Sequence, residues 1–416
     1  MLSVGIDTHE REHFVEIQNE KEVRMWRGRI RNNREGVQLL LEKVRTVERS
    51  NSQEVIGIFM NPTGNYHIPL KYFLERNGFG GTVFVIDARR TAHQRIISNL
   101  GKEKSDPEDA HILASTPWND PRYRDKRSHE RSGLSELTRE REMIRKSITR
   151  ILNDLHSQLA IIFPEFSDVI TVDSNTGIAI LEKYTTPDRI AHLPPEELFK
   201  LMKEKGKNHF SIDDAVKLIN VSKKSIGVPD TTGVHTARIR IAVERLKNEI
   251  SSLKNVEKEI ERMSSGNEEI RHLMEMKGMG AVNAATIVSE IGDIGQFESA
   301  LKLQSYGGKC PDMTGSSGNS HSTGITRIRN SHLSNAIHES AVSLVLHRNR
   351  EFFDLFTREI TKKKSPTEAY IVVGKRLLYH VYSIMKNHRP YRERIPNKRE
   401  GEGGVSTGEC NMPFQS

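Results

Sequence analysis

Three aspartates have the types and spacing of a site for hard divalent cations. Asp7 ends a short apolar run near the start of the chain. Asp106 and Asp109 open a predicted helix much later, and a spacing of three residues places their carboxylates on neighbouring positions of one face. Ions such as Mg²⁺ prefer oxygen ligands and stabilise the attacking and leaving oxygens of a phosphodiester. A capping box with acids in the first helical turn is the alternative interpretation.

A glycine-rich turn in the second half of the chain is a candidate phosphate site. Lys277, Gly278 and Gly280 lie between two predicted helical stretches. Backbone N–H groups at the start of the second helix would then be available to a phosphate. The same turn could serve only to join two packed helices, so both interpretations stay open.

A loop rich in Gly, Ser and Thr, at residues 307–330, is a candidate source of a nucleophile. It contains Ser316 and Ser317, followed by Arg327 and Arg329. A serine that attacks a phosphodiester keeps the bond energy in an ester, so strands can be rejoined without ATP, and arginines bind phosphate well. Most loops of this composition are linkers, which is the alternative here.

The charge of the chain indicates a polyanionic partner. The 416 residues include 63 Lys or Arg and 55 Asp or Glu, a net charge of +8. Residues 121–150 hold ten basic and five acidic side chains, and residues 386–400 hold six and two. Such clusters release counterions from nucleic-acid phosphates, although a solvated helix face can have the same composition.

Composition also excludes several classes of protein. Only two cysteines occur, Cys310 and Cys410, which excludes a disulfide scaffold and a Cys-rich zinc site. No apolar run approaches the roughly 18–20 residues of a membrane span. Asp7 interrupts the N-terminal apolar run before it could form a signal peptide. We therefore expect a cytoplasmic protein with no membrane association.

The elements that must position these residues fall into three predicted parts and a tail. Residues 1–128 predict an α/β domain with three strands followed by alternating helix and strand, a pattern that alone does not exclude a flavodoxin-like fold. Residues 129–265 predict two long helices with heptad-spaced apolar seams and a helical insertion at 164–234. The seams favour an antiparallel pair or a subunit interface. Residues 266–389 are predicted to be helical, and 390–416 to be a disordered tail.

Taken together, the motifs resemble one family, the DEDD transposases of the insertion-sequence one-ten group, with the related pilin-gene invertases. G-I-D-T-H at 5–9, P-T-G-N-Y-H at 62–67 and K-S-D-P-E-D-A at 104–110 are similar to its N-terminal motifs. M-K-G-M-G at 276–280 and S-Y-G-G-K-C-P at 305–311 resemble its C-terminal domain, whose Ser-Gly pair is matched at 317–318. The resemblance covers nearly the whole chain to about residue 388.

The resemblance implies a RuvC-like (RNase H-type) N-terminal domain, an all-α coiled-coil region and a separate serine-bearing helical domain with a helix-hairpin-helix-like turn. Asp7, Asp106 and Asp109 would hold Mg²⁺ or Mn²⁺, and Ser317, with Ser316 as the reserve candidate, would form a phosphoserine link to DNA. Implied partners are DNA, a structured guide RNA and further copies of the chain, as a dimer or tetramer. The protein would be prokaryotic and nucleoid-associated.

One departure from the family pattern concerns the second acid, which should precede Pro62. Asn61 stands there, and its side-chain oxygen could still ligate Mg²⁺, though without a charge. Glu108 is a better candidate for compensation than Glu54. Arg329 also stands where the family usually has Gly. Two alternatives follow, a RuvC-type metal-dependent nuclease with inert loop serines, and a nucleic-acid-binding protein whose catalysis is weakened by Asn61.

Overall fold

The computed structural model describes residues 1–86, 91, 105–119, 133–206, 209–309, 311–314, 321–325 and 329–392. It divides the chain into two compact units, Met1–Glu130 and Arg131–Ser416. Within the described ranges, none of the helices combines the length and the apolar character that a membrane span requires. Most of the predicted disordered tail lies outside the described residues, and the three predicted domain boundaries stay predictions.

The first unit is built on a mixed five-stranded sheet with the order β3-β2-β1-β4-β5. β1 is antiparallel to β2 and parallel to β4, β2 is antiparallel to β3, and β4 is parallel to β5. The strands are β1 (Leu2–Asp7), β2 (Glu12–Asn19), β3 (Arg24–Arg31), β4 (Val55–Met60) and β5 (Val83–Val85). The observed order, three strands followed by alternating helix and strand, is the predicted one. The antiparallel β2 and β3 exclude the flavodoxin-like alternative, whose sheet is parallel and differently ordered.

Three helices accompany this sheet in the described residues. The first begins after Asn33, whose side chain accepts a hydrogen bond from Gly36 N, and its apolar face packs into the sheet's core. The second continues into a short π-helical turn, Glu75–Phe79. The helices are α1 (Arg34–Asn51), α2 (His67–Leu74) and α3 (Asp106–Asn119).

Helix α3 packs directly on β1 because residue 5 is glycine. A Cβ at Gly5 would lie 2.0 Å from the carbonyl oxygen of Ala110 and 2.4 Å from the nitrogen of Ala114. Both atoms belong to the α3 backbone, so no larger residue fits without moving the helix. This close approach sets the distance between the end of β1 and the first turn of α3.

The second unit contains two long antiparallel helices, α4 (Gly133–Ile162) and the helix Val234–Ser264. Side-chain hydrogen bonds join them in reversed order along the chain, among them Arg141 to Glu257, Ser147 to Glu249, and Arg238 to Asp154. The predicted apolar seams of both helices are buried or partly buried within the chain. The seams therefore form an intramolecular pair, and they are not a free surface for another subunit.

Several shorter helices lie between the two long helices. This segment has its own apolar core, which includes Phe166, Leu181 and Leu218 and continues onto the long helices through Leu155 and Ile239. The segment begins with a 3-10 turn, Pro164–Asp168. Its helices are α5 (Asn175–Lys183), α6 (Pro187–Ala191), α7 (Pro195–Lys205) and α8 (Ile212–Lys223), so that Val234–Ser264 is α9.

The C-terminal part is mainly helical, and it packs around a second apolar core that includes Leu273, Leu344 and Leu377. Its helices are α10 (Glu268–Met274), α11 (Ala281–Ile291), α12 (Ala300–Tyr306), α13 (Ser331–Leu346), α14 (Arg350–Thr361) and α15 (Pro366–Asn387), with a 3-10 turn at Ile294–Gln296.

The prediction that residues 307–330 form a loop without regular structure is wrong at two short segments. Strands β6 (Pro311–Thr314) and β7 (His321–Ile325) form an antiparallel hairpin inside the predicted Gly/Ser/Thr loop. Proline at the first position of β6 cannot continue a helix but is compatible with a strand start.

Candidate functional site

Asp7, His9 and Asp106 come together where β1 ends and α3 begins. The His9 Nε2 atom lies 3.0 Å from Asp7 Oδ2 and 3.4 Å from Asp106 Oδ1. One ligand atom of each residue lies within 4.8 Å of the others. The Asp7 side chain is 1% exposed, whereas those of His9 and Asp106 are about 40% exposed, so the group is open on one side.

Asn61 follows β4 and contacts the same carboxylate. Its Oδ1 accepts hydrogen bonds from the backbone N and the Oγ1 of Thr8, at 2.8 and 2.9 Å. Its Nδ2 donates to Asp7 Oδ1. Because the backbone N–H of Thr8 can only donate, it fixes the amide orientation. Asn61 therefore acts here as a donor to Asp7, and its predicted role as an oxygen ligand stays a prediction.

The surroundings of Asp7 disfavour its charge. Burial, the largest effect, raises the pKa of Asp7, and the Asp109 carboxylate raises it further. His9 and the Asn61 hydrogen bond lower this pKa, but burial outweighs them. Asp109 itself is 2% exposed and lies one turn beyond Asp106 on α3. A buried carboxylate that is costly to ionise gains the most from a bound cation.

A second buried acid, Glu16 on β2, holds α3 against the sheet. His111 Nδ1 lies 2.7 Å from Glu16 Oε1, Gln18 Nε2 donates to the same oxygen, and Arg27 Nε donates to Oε2 at 2.7 Å. Burial alone would raise the pKa of Glu16, but these hydrogen bonds outweigh burial and lower it to about 2. The same contact raises the pKa of His111. The charged network therefore fixes the register of α3, and with it Asp106 and Asp109.

The donor set is compatible with a divalent cation. Asp7 and Asp106 offer carboxylate oxygens from two separate segments, and His9 adds an imidazole nitrogen. Carboxylate oxygens suit Mg²⁺ and Mn²⁺, and a neutral imidazole extends the choice to transition metals. Glu108, the predicted compensating acid, is half-buried in the same helical turn.

The predicted phosphate-binding residues lie in the second unit. Gly278 has φ 99°, a left-handed backbone that favours glycine, and Gly280 precedes the first residue of α11. Lys277 and Arg329 are exposed. Ser316, Ser317 and Arg327 lie outside the described residues, so the nucleophile and its nearest arginine stay predictions.

Two residues with a clear place in the acidic site were missed by the sequence-based assignment. His9 bridges two carboxylates, and Thr8 orients Asn61. Both lie inside the G-I-D-T-H motif, directly after Asp7. Their position at the end of a strand, next to an acid, was the only signal available.

Two family models match the chain, one in each half. Residues 4–164 match a model of DEDD transposases, and residues 270–356 match the transposase model of the IS116/IS110/IS902 family. Both models describe transposases, so the class of protein is an enzyme of DNA transposition.

Two curated proteins of Streptomyces coelicolor are similar over most of their length. The chain is 22% identical to an uncharacterised 43.6 kDa protein of insertion element IS110, over 71% of this chain and 74% of that protein. It is also 22% identical to a protein of the IS117 mini-circle, over 80% of this chain and 81% of that protein. The chain belongs to the IS110 family of transposases.

Proposed function

We propose that this transposase cuts and rejoins DNA with a divalent-cation site at Asp7, Asp106 and Asp109 and with Ser317 as the nucleophile. The observation that supports the proposal is the convergence of Asp7 and Asp106, from distant segments, on one imidazole nitrogen. Mg²⁺ is the proposed cation, with Mn²⁺ as a substitute. When bound, it would supply Lewis-acid stabilisation of phosphodiester oxygens.

The residues of the chain have separate roles in this proposal. Asn61 holds the Asp7 carboxylate through its amide N–H, and Glu16 fixes α3 so that Asp106 and Asp109 face Asp7. The Ser317 Oγ forms a bond to phosphorus while the bond from phosphorus to one sugar oxygen breaks, and that oxygen leaves as a hydroxyl. Attack by another sugar hydroxyl on the phosphoserine then restores a phosphodiester and frees the serine.

The N-terminal fold and the partners also belong to the proposal. A mixed sheet with acids at the end of its central strand β1 and at the start of a helix packed on that strand supports an RNase H-type domain. A structured guide RNA would select the target, which fits the basic stretch at 121–150. Assembly into a dimer or tetramer would have to use surfaces other than the apolar seams of α4 and α9.

The test is a search for a covalent protein–DNA adduct. The full chain is incubated with DNA of the element ends, transcribed flanking RNA and Mg²⁺, and the products are separated under denaturing conditions. We expect an adduct that is absent in Ser317→Ala, present in the neighbouring control Ser316→Ala, and absent in Asp7→Asn. Loss of the adduct by at least 100-fold is expected for the nucleophile, because no second group replaces it.

The same experiment separates the alternatives. Strand cleavage that survives Ser317→Ala but stops in Asp7→Asn would identify a metal-dependent nuclease with inert loop serines. If the unmodified chain binds nucleic acid without cleaving it, and Asn61→Glu restores cleavage, the protein is a nucleic-acid-binding protein with a weakened site. An adduct that persists in Ser317→Ala and disappears in Ser316→Ala would move the nucleophile by one residue.

A further inference from the structure

A cleft of about 430 Å³ lies in the second unit, where the Gly278 turn meets helices α13 and α14. Three of its six lining residues are cationic and one is acidic. The six lining residues are Glu275, Lys277, Arg348, Asn349, Arg350 and Tyr391.

The cleft exists because the Gly278 turn lies against the C-terminal end of α13. A Cβ at Gly278 would lie 3.0 Å from the carbonyl oxygen of Ser343 and 3.1 Å from His347 Cβ. The Ser343 hydroxyl donates to the Gly278 carbonyl oxygen at 2.7 Å. This contact brings Lys277 to the same cleft as Arg348 and Arg350, which are far away in the sequence.

Arg348 occupies a backbone position that normally takes glycine. It follows the end of α13 with φ 51°, in the left-handed region, and its N–H donates to the Val345 carbonyl oxygen. Glycine is the usual residue there because a side chain is strained in this conformation. The Arg348 guanidinium instead lies 5.4 Å from the centre of the Phe353 ring.

Asn349 is the residue that precedes the 12-residue helix α14, and it does not cap that helix. Its side chain makes no capping hydrogen bond, although Asn is among the best residues for capping. Asn349 is 3% exposed, and its Oδ1 has no hydrogen-bond partner among the described residues. A buried carbonyl oxygen without a donor costs free energy unless a ligand supplies one. The first N–H groups of α14 remain available to an anion.

Glu351, the acid in the first turn of α14, does not cancel the positive charge of the cleft. The Glu351 carboxylate accepts a hydrogen bond from Arg376 Nε at 2.6 Å and lies 2.8 Å from His380 Nε2. Burial would raise the pKa of Glu351, but His380 and Arg376 outweigh burial and lower it to about 2. Glu351 also accepts from the Tyr391 hydroxyl at 3.0 Å, which holds that ring at the cleft.

We propose that this cleft binds a phosphate of a nucleic-acid backbone, with Lys277, Arg348 and Arg350 as its cationic contacts. Asn349 Oδ1 would accept a hydrogen bond from the adjoining nucleoside. A phosphodiester has no hydrogen-bond donor of its own, whereas an adjoining sugar hydroxyl or base amino group can donate to Asn349 Oδ1. The inference deepens the proposed function, because it names a contact for the nucleic acid on which the enzyme acts.

The test measures binding without catalysis. The full chain is titrated in EDTA, by fluorescence anisotropy, against a labelled DNA duplex and an RNA of the same sequence at several salt concentrations. Arg350→Gln should reduce the affinity about fivefold at 0.15 M salt and lower the slope of log K against log [salt] by about 0.9 on duplex DNA, the value for one lost phosphate contact. Arg358→Gln is the matched control, since Arg358 is an exposed arginine of the same helix outside the cleft.

A second variant separates binding from folding. Lys277→Gln removes an exposed cation of the cleft that lies in a turn, so the thermal midpoint should not fall, whereas the loss of one phosphate contact should reduce affinity about fivefold. A loss confined to RNA, or confined to DNA, identifies which backbone the cleft takes. If Arg350→Gln and Lys277→Gln both bind like the Arg358→Gln control on both probes, the proposal is wrong. Because EDTA removes divalent cations, this outcome is independent of whether the acidic site cuts DNA.

Discussion

The close contact between β1 and α3 makes a substitution at Gly5 the sharpest test of the acidic site. In Gly5→Ala, the new Cβ would lie 2.0 Å from the Ala110 oxygen, and contacts below 3.0 Å do not persist. The α3 backbone must therefore withdraw by about 1 Å, since the clash is with main chain and no side chain can rotate away. Overpacking of this kind costs about 1–3 kcal/mol of the free energy of unfolding.

The same displacement moves Asp106 and Asp109 relative to Asp7. Metal sites tolerate distance errors of only about 0.2 Å, and a 1 Å misplacement can reduce a reaction rate about 100-fold. We expect Gly5→Ala to fold, to bind Mn²⁺ more weakly in a calorimetric titration, and to form the covalent DNA adduct about 100-fold more slowly.

The matched control is Gly28→Ala on β3. A Cβ at Gly28 would approach only the far end of the Trp26 side chain, at 2.7 Å, and that ring can move. The control should keep wild-type Mn²⁺ affinity. Wild-type Mn²⁺ affinity and wild-type urea stability in Gly5→Ala would show that α3 is not held by this contact and would refute the reasoning.

The other two predictions concern buried charges in the second unit. Lys309 is 4% exposed, and burial together with Arg329 lowers its pKa from 10.5 to about 8. Because the unfolded chain binds this proton more tightly, the free energy of unfolding should rise between about pH 8 and 10.5, by up to about 3 kcal/mol at 1.36 kcal/mol per pKa unit. Urea unfolding of Lys309→Met at several pH values should lack that rise. Arg139 donates to both oxygens of Glu290, at 2.6 and 2.7 Å, and the Glu290 side chain is 2% exposed. Arg139→Ala should therefore lower the free energy of unfolding in urea by about 3–5 kcal/mol, because it leaves the Glu290 charge buried and unpaired. Arg139→Met combined with Glu290→Met should recover most of that loss. Equal losses in the single and double variants would show that a buried unpaired charge is not the cause.

The first unit could be predicted in detail because its signals are local. Apolar runs of strand length gave β1, β4 and β5, and the acids and proline after Ser105 gave the start of α3. The approach of Asp7 to Asp106 follows from placing a helix on the central strand. The hairpin at β6 and β7 was missed because its strands are short and lie in a stretch rich in Gly, Ser and Thr, a composition that also describes an unstructured loop.

The orientation of Asn61 could not be predicted, because it depends on a hydrogen bond from the neighbouring strand end. The Thr8 N–H donates to the amide oxygen of Asn61, so the amide nitrogen of Asn61 is the atom that donates to Asp7. The basic cleft was missed for the same reason. Lys277 and Arg350 become neighbours only through the packing of Gly278 on α13, and neither sequence segment alone contains that information.

The antiparallel α4–α9 pair has a mechanical consequence. The apolar cluster around Leu344 and the one around Leu181 both extend onto these two helices, at opposite ends of the pair. Helix α4 has 30 residues and is therefore about 45 Å long at 1.5 Å per residue. Hydrogen bonds between the two helices, such as Arg141–Glu257, hold the pair together over that length, so the pair acts as a spacer that sets the distance between the two apolar clusters.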